Sequence, residues 1–165
     1  PSIAQRVTVP DDRSSITFHL DPRAKFSDGT PITADDVIFS FETLRDSGRP
    51  NMRRVYQLVK NVERRDTHTV HFELGDGYDR ETIMILGIMP VLSKAWWSGR
   101  TFDSASLDIP VVSGPYTIAN VDPGRKIVYQ RNPAYWAADL VANRGHYNFD
   151  TLVFDYFRDD TVAFE

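Results

Sequence analysis

The fold of this chain is decided by the stretch Phe26-Ser-Asp-Gly-Thr-Pro-Ile-Thr-Ala-Asp-Asp-Val-Ile-Phe-Ser-Phe-Glu-Thr-Leu44, in which a strand end, a turn and a helix start follow one another. Asp28-Gly29 predicts the turn, since glycine takes positive φ without a steric clash and an aspartate side chain bonds nearby backbone. Pro31 then disfavours helical backbone at Thr30. The chain is therefore expected to turn sharply and to begin a helix within a few residues.

The predicted helix starts after Thr33, whose hydroxyl is expected to accept a bond from an amide of the first turn, with Asp36 completing a capping box. Its apolar stripe consists of Val37, Ile38, Phe41 and Leu44. Burying these four side chains stabilises the helix by roughly 6 to 12 kcal/mol, against about 1 kcal/mol for the cap. Gly48 and Pro50 predict where the helix ends.

Composition excludes several classes of protein. The 165 residues carry a formal net charge of −4 and contain no cysteine. No segment concentrates lysine and arginine, so nucleic acid is not expected as a partner. Without thiols, neither a disulfide framework nor a thiolate metal site is available. A chain of this size is long enough to bury one substantial core or two smaller ones.

Apolar runs are short. The longest, residues 82–92, is interrupted by Gly87 and Pro90 and is much shorter than a membrane span. No charged and then apolar segment of the signal-peptide kind opens the chain. Because the sequence starts at Pro1 and ends at Glu165 inside a predicted helix, it is expected to be a piece of a longer protein.

Periodicity predicts an α+β fold with a mixed, largely antiparallel sheet and short packed helices. Alternating apolar residues predict strands, and three- or four-residue spacing predicts helices. The predicted strands are residues 6–9, 15–20, 61–65, 69–74, 116–121, 126–130 and 152–157. The further predicted helices are residues 52–59 and 80–86, a short one after Ser93, and one that begins near residues 158–161.

Three candidate reactive motifs fail on their neighbours. Asp28 lacks the aspartate two positions earlier that a phosphatase loop needs, because Phe26 stands there. Ser113 lacks the flanking glycines of the esterase Gly-x-Ser-x-Gly turn. His68 and His71 would point to opposite faces of one strand, which argues against a metal pair. No catalytic residue, metal ligand or cofactor is therefore predicted.

Soft and aromatic side chains are candidates for a ligand cleft. They are Met89, Trp96 and Trp97, since such side chains suit varied ligands. Packing in the core is the alternative for each of them.

Three stretches together resemble the extracellular solute-binding proteins, family five, of oligopeptide, dipeptide and nickel ABC importers. They are Phe26 to Phe41 of the opening stretch, Ser113-Gly-Pro-Tyr116 with Pro123-Gly-Arg125, and Arg131-Asn-Pro-Ala-Tyr-Trp136. Residues 141–150 and 156–163 are most similar to the oligopeptide-binding subgroup that also takes up microcin C-type peptide antibiotics.

The resemblance implies an exported, two-lobed, non-catalytic protein with a class II periplasmic-binding-protein-like fold. Members of the family hold a ligand between their lobes and then dock on ABC permease subunits in the membrane. The implied ligand is an oligopeptide, with a peptide antibiotic or a nickel chelate as alternatives. The implied location is the periplasm, and the implied state is a monomer.

The resemblance covers only part of such a protein, because family members are several hundred residues long. Residues 1–110 correspond to the extra domain typical of the large peptide-binding members. Residues 111–165 correspond to the first part of the adjoining lobe I, and the second lobe is absent from the sequence. The chain alone is therefore expected to bind peptide weakly or not at all.

The resemblance also implies four candidate ligand contacts, which are Tyr56, Met89, Ser113 and Gly114. These residues lie in or beside turns or short helices that the family arranges near its cleft. A purely structural role is the alternative for each. Two other functions stay open at this point, a hydrolase domain and a scaffold or interaction domain without a small ligand.

Overall fold

The structure, a computed structural model that describes residues 3–104 and 106–159, contains the predicted turn at Asp28-Gly29. Gly29 has a φ of +86°. The Asp28 side chain accepts hydrogen bonds from the Thr30 amide at 3.0 Å and from the Thr30 hydroxyl at 2.7 Å. Both predicted roles are confirmed, the positive φ of the glycine and the bond from aspartate to nearby backbone.

Helix α1, Ala34–Ser47, begins directly after Thr33 and ends before Gly48, as predicted. The predicted capping box between Thr33 and Asp36 is present at its start. The Thr33 hydroxyl and the Thr33 amide both donate to Asp36 Oδ2 at 2.9 Å. Asp36 accepts both bonds because a charged oxygen accepts more strongly than a hydroxyl.

The first sheet has four antiparallel strands. They are β1 Ala4–Thr8, β2 Ser15–Leu20, β3 Val59–Asp66 and β4 Thr69–Leu74, in the order β1-β2-β4-β3. Every second residue of β2 and β4 is buried, since alternate side chains of a strand point to one face. All four strands were predicted, with ends that shift by one or two residues.

The main core lies between this sheet and α1. Phe72 of β4 meets Phe41 of α1 edge to face at 5.3 Å, and it meets Phe18 of β2 at 5.8 Å. The predicted stripe of α1 packs here, with Val37, Phe41 and Leu44 buried and Ile38 partly buried. The apolar stripe therefore orients the helix, as its sequence spacing predicted.

Three shorter helices complete this part of the chain. They are α2 Pro50–Tyr56, α3 Arg80–Gly87 and α4 Lys94–Trp97. The prediction that α2 continues to Val59 is wrong, because Val59 begins β3 and pairs with Leu74. Val59 follows Tyr56 at helical spacing, so local pattern alone favoured the helix. Ser93 begins α4 as predicted, and its Oγ accepts a bond from the Trp96 amide at 3.2 Å.

The second sheet has three antiparallel strands. They are β5 Tyr116–Asp122, β6 Lys126–Arg131 and β7 Thr151–Asp155, in the order β5-β6-β7. The predicted turn between β5 and β6 is present, with Gly124 at a φ of +75° and a 3.0 Å bond from the Arg125 amide to the Asp122 carbonyl. The α+β class is confirmed. The structure describes no residue after 159. The helix predicted to begin near residues 158–161 therefore falls outside the described residues.

A small apolar cluster joins the regions that carry the two sheets. Its residues are Ala24, Phe26 and Ile32, with Ile3, Val91, Val111 and Trp136 packed against them. The Ser27 amide donates to the Val112 carbonyl at 2.7 Å, and the Val112 amide donates to Ser27 Oγ at 3.2 Å. The division near residue 110 into an extra domain and part of lobe I stays a prediction.

Candidate ligand-binding surface

The buried carboxylate of Asp36 joins the start of α1 to the start of α4. Its Oδ2 holds Thr33, and its Oδ1 accepts a bond from the Lys94 amide at 3.0 Å. Asp36 is 8% exposed, so these bonds form away from bulk water, where an acceptor without partners would be costly. One side chain therefore sets the positions of two helix starts.

Ser40, fully buried one turn further along α1, holds the residues that precede α4. Its Oγ accepts a bond from the Leu92 amide at 2.7 Å and donates to the Asp36 carbonyl at 2.5 Å. A buried donor that loses its partner costs about 1 to 3 kcal/mol. Residues 92–94 are therefore fastened to α1, and Met89 precedes this fastened segment by only three residues.

An apolar cleft of about 400 Å³ lies between residues 86–91, which precede this segment, and β1, β2 and α1. Every described residue that lines it is apolar or glycine. Its floor and wall include Phe18, Leu20, Val37, Leu86, Met89 and Val91. A cleft of this composition can bind an apolar group by removing it from water, whereas a charge placed there would be desolvated without an oppositely charged side chain beside it.

The outer rim of the apolar cleft is itself apolar and exposed. Ile88, which lines the cleft, is 80% exposed, and Met84 on the preceding helical turn is 67% exposed. Burying such a side chain against a ligand or another surface would stabilise the complex by roughly 1.5 to 3 kcal/mol. Methionine also adapts its shape to different neighbours. The rim is therefore suited to contact an apolar ligand or an apolar surface.

Displaced pKa values in the described residues arise from structural contacts. Hydrogen bonds from Arg23 lower the pKa of Asp21, and the Thr82 amide lowers the pKa of Asp79 at the start of α3. Burial raises the pKa of Tyr56. None of these groups lines the apolar cleft. Within residues 3–104 and 106–159, no three His, Cys, Asp or Glu side chains come close enough to hold a metal ion.

The whole chain, residues 1–165, matches the family described as bacterial extracellular solute-binding proteins, family 5 middle. The chain belongs to this family. The resemblance seen in its three sequence stretches is confirmed, and the members of family 5 are binding proteins. In the described part of the chain, no helix has both the length and the apolar character that a membrane crossing requires.

Curated relatives of this family 5 chain include two Agrobacterium fabrum proteins. The peptidoglycan-binding protein YepA is 40% identical over 164 residues, which are 99% of this chain and 27% of YepA. YejA, whose name describes a peptide-binding protein, is 36% identical over 170 residues, which are 99% of this chain and 28% of YejA. The chain therefore spans about a quarter of the length of these relatives.

A solved structure of the same fold is the periplasmic binding protein AgaA of Agrobacterium tumefaciens R10, in complex with agropinic acid. The match has a TM-score of 0.84 and 26% identity, and it covers 99% of this chain and 32% of AgaA. The predicted periplasmic-binding-protein fold is thereby confirmed.

The four predicted ligand contacts occupy different surroundings in the family 5 chain. Met89 is half-buried and lines the apolar cleft. Tyr56 is 0% exposed and packs against Phe41 at 5.8 Å. Ser113 and Gly114 are half-buried in the segment that leads to β5. The structure does not bring the four into one cleft, and their roles as contacts stay predictions.

Several residues of the apolar cleft were missed by reasoning from sequence. Ile88 carried a usable signal, because it is an apolar residue between Gly87 and Pro90, where a turn exposes side chains. Val37 was predicted to be buried, and Phe18 lies on a predicted strand. Both belong to the core, and the cleft lies along their outer side. No local signal indicated that, because the cleft forms only where the end of α3 approaches β2.

Proposed function

We propose that this chain is part of the substrate-binding component of an ABC importer, which binds oligopeptides in the periplasm as a monomer and delivers them to the permease subunits. The observation that carries the proposal is the apolar cleft with its exposed rim at Met84 and Ile88. In a solute-binding chain, an apolar cleft is suited to take an apolar side chain of a ligand.

The names of the relatives support peptide as the ligand class. YejA is described as a peptide-binding protein, and YepA as a peptidoglycan-binding protein. Peptidoglycan carries short peptides, so both names are compatible with a ligand that contains peptide. The AgaA complex with agropinic acid supports a small, extracellular solute more generally. Among these ligands, an oligopeptide best suits the apolar cleft. Its side chains are often apolar and could enter the cleft, while its polar backbone stayed outside.

Enclosure is the proposed mechanism of binding. A ligand that lies on one wall keeps much of its surface in water, whereas a ligand between two lobes loses water on both sides. This chain would supply one wall, with the apolar cleft taking a side chain. The charged ends of a peptide would need charged partners elsewhere, because no charged side chain lines the cleft.

We propose no enzymatic role for the chain. The groups whose pKa is displaced, such as Asp21 and Asp79, have structural partners and lie outside the apolar cleft. This supports a binding role over the hydrolase alternative, in which a displaced pKa would be expected at the site itself.

The proposal is tested by native mass spectrometry on the longer polypeptide that contains this segment, exposed to a mixed pool of oligopeptides. We expect the polypeptide to retain peptides with apolar side chains. Retention of no peptide would overturn the proposal. Metal chelates would then be the next ligands to test, and a scaffold or interaction domain would be the better function if they too were not retained.

A pair of large apolar residues provides a control for the role of the apolar cleft. Met89→Ala removes a lining side chain, whereas Leu107→Ala removes an exposed apolar side chain that lines neither the cleft nor its rim. We expect Met89→Ala to weaken peptide retention about tenfold, as the loss of one buried side chain predicts, and Leu107→Ala to have a smaller effect. Equal effects would contradict the placement of the ligand in the cleft.

A further inference from the structure

A second cleft, of about 460 Å³, lies beside α4 and shares no lining residue with the apolar cleft. We name it the tryptophan cleft. The lining residues used in the argument below are Trp96, Trp97, Arg100, Ser104, Ser106 and Asp108. Unlike the apolar cleft, it combines large aromatic surfaces with several polar groups.

The two indoles of the tryptophan cleft are held in place by their neighbours. Trp96 and Trp97 meet edge to face, with ring centroids 4.8 Å apart and planes at 82°. Phe102 lies against Trp97 at 5.0 Å. Both indoles are half-buried, so part of each remains available to a ligand. An indole offers a flat apolar face together with one N–H donor.

The charges of the tryptophan cleft offset each other. The Arg100 guanidinium lies 4.3 Å from the centre of the Trp96 ring and donates a hydrogen bond to the Trp96 carbonyl. The Asp108 carboxylate is 3.8 Å from Arg100. The cation and the anion are both at the cleft surface, so the cleft has no net charge to attract an ionic ligand.

Hydroxyl groups add further hydrogen-bonding capacity at the edge of the tryptophan cleft. Ser104 Oγ donates to the Thr101 carbonyl at 2.7 Å and retains its acceptor sites. Ser106 Oγ accepts from the Asp108 amide at 3.0 Å and retains its proton for another acceptor. These hydroxyls can therefore exchange hydrogen bonds with a ligand without giving up their present partners.

We propose that the tryptophan cleft is a binding subsite for a neutral sugar ring. Such a ring has an apolar C–H face, which suits the indole surface that Arg100 and Phe102 leave exposed, and hydroxyls around its edge, which suit Asp108, Arg100 and the serines. An apolar side chain in the same place would desolvate Arg100 and Asp108 without replacing their bonds to water. An anion would gain from Arg100 but would be repelled by Asp108. The subsite stands on its own geometry and does not depend on the proposed peptide function.

Tryptophan emission offers a direct test, because the chain has only three tryptophans. The third, Trp136, packs in the apolar cluster between the sheets, and its indole N–H is buried without a hydrogen-bond partner among the described residues. Trp136→Phe is therefore a mild change, and it leaves all indole emission to the tryptophan cleft. In this background, we expect cellotriose or tri-N-acetylchitotriose to change the emission saturably, with a dissociation constant of about 1 mM.

Variants assign the signal to the cleft. Trp96→Ala is expected to weaken saccharide binding about tenfold, and Asp108→Ala about threefold. Asp103→Ala changes an exposed residue of the same loop that does not line the cleft, so it is expected to leave the dissociation constant unchanged. Circular dichroism checks that each variant is folded. Asp108 is exposed, so Asp108→Ala is not expected to disturb the fold. This variant therefore tests the cleft even if Trp96→Ala disturbs α4.

Calorimetry on the longer polypeptide repeats the titration in the larger protein. No saturable signal up to about 10 mM saccharide by either method would overturn the proposal. So would equal weakening by Asp103→Ala and Asp108→Ala, or tighter binding of trialanine than of both saccharides at this cleft. If peptide is retained but no saccharide binds, the peptide function survives and this inference does not.

Discussion

At the scale of single residues, one buried carboxylate connects the starts of two helices. Asp36 accepts bonds from Thr33 before α1 and from the Lys94 amide at the first residue of α4. The neighbouring Asp35 is half-buried and forms a 3.1 Å ion pair with Arg64. Two adjacent aspartates of the same helix turn thus have different surroundings, which makes them a natural pair for comparison.

Asp36→Ala is expected to lower the free energy of unfolding by about 2 kcal/mol, because it leaves two part-buried amides without their charged acceptor. Asp35→Ala removes only a partly exposed ion pair and is expected to cost less than about 1 kcal/mol. Urea denaturation of both variants measures the difference. Similar losses for the two variants would show that Asp36 does not have the structural role assigned to it.

Asp21 makes the stability of the chain dependent on pH. Bonds from Arg23 hold the pKa of this carboxylate, which is 4% exposed, below its ordinary value. Because the folded-state pKa is lower than the unfolded one, Asp21 stabilises the fold above about pH 4. That contribution is lost as the pH falls through the folded-state pKa.

Asp21→Asn is therefore expected to lower stability at pH 7 and to flatten its decline between about pH 5 and pH 2. Thermal unfolding followed across this range measures the slope. Asp11→Asn, at an exposed position, provides the control and is expected to leave the profile unchanged. A profile for Asp21→Asn that is as steep as that of the unmodified chain would count against this explanation.

At the scale of elements, α3 connects a polar cap to the rim of the apolar cleft. Asp79 Oδ1 accepts bonds from the Thr82 amide and hydroxyl, each at 2.9 Å, and the Asp79 amide donates to Thr82 Oγ1 at 3.2 Å. Leu86, near the other end of the helix, is buried in the core and lines the cleft. The cap therefore contributes to the order of a helix whose end forms the binding surface.

Asp79→Ala is expected to increase amide hydrogen exchange in α3 about fivefold, because the helix loses its first-turn acceptor. Hydrogen exchange measured by mass spectrometry resolves this segment. Asp79→Asn, which keeps an acceptor oxygen, should restore most of the protection. Asp76→Ala alters an exposed residue just before the cap and serves as the control. Unchanged exchange in Asp79→Ala would mean that packing alone orders α3.

At the scale of the whole molecule, the chain presents one wall of a proposed two-walled site. It spans about a quarter of the length of YepA and YejA. A ligand bound in the apolar cleft of this chain alone would therefore remain exposed to solvent on its outer side. We expect the isolated chain to bind a peptide at least about 100-fold more weakly than the longer polypeptide.

Isothermal titration of both proteins with one apolar peptide, selected from the retained pool, measures this ratio. Comparable affinities would mean that the contacts of this chain suffice and that enclosure contributes little. Weak binding by both would point to a different ligand class, and metal chelates would be the next probes.

Local chemistry explains the parts of the fold that could be predicted. Asp28-Gly29 turns, α1 starts after Thr33, and β5 and β6 are joined at Gly124, because each depends on residues only a few positions away. Val59 shows the limit of this reasoning. It continues the helical spacing of α2, but pairing with Leu74 on β4 makes it the start of β3. Tertiary contact overrode a local preference at that point.

The sequence by itself determined the turn, the helix caps, the strand alternation, the α+β class and the resemblance to the solute-binding family, since all of these are carried by residues that are close along the chain. Only the tertiary structure decided that the end of α3 meets β2 to form the apolar cleft, that Asp36 reaches Lys94, and that Trp96 and Trp97 line a separate cleft. The physical reason is that a cleft is made by the packing of distant segments, and no local pattern encodes which of their outer sides will remain open.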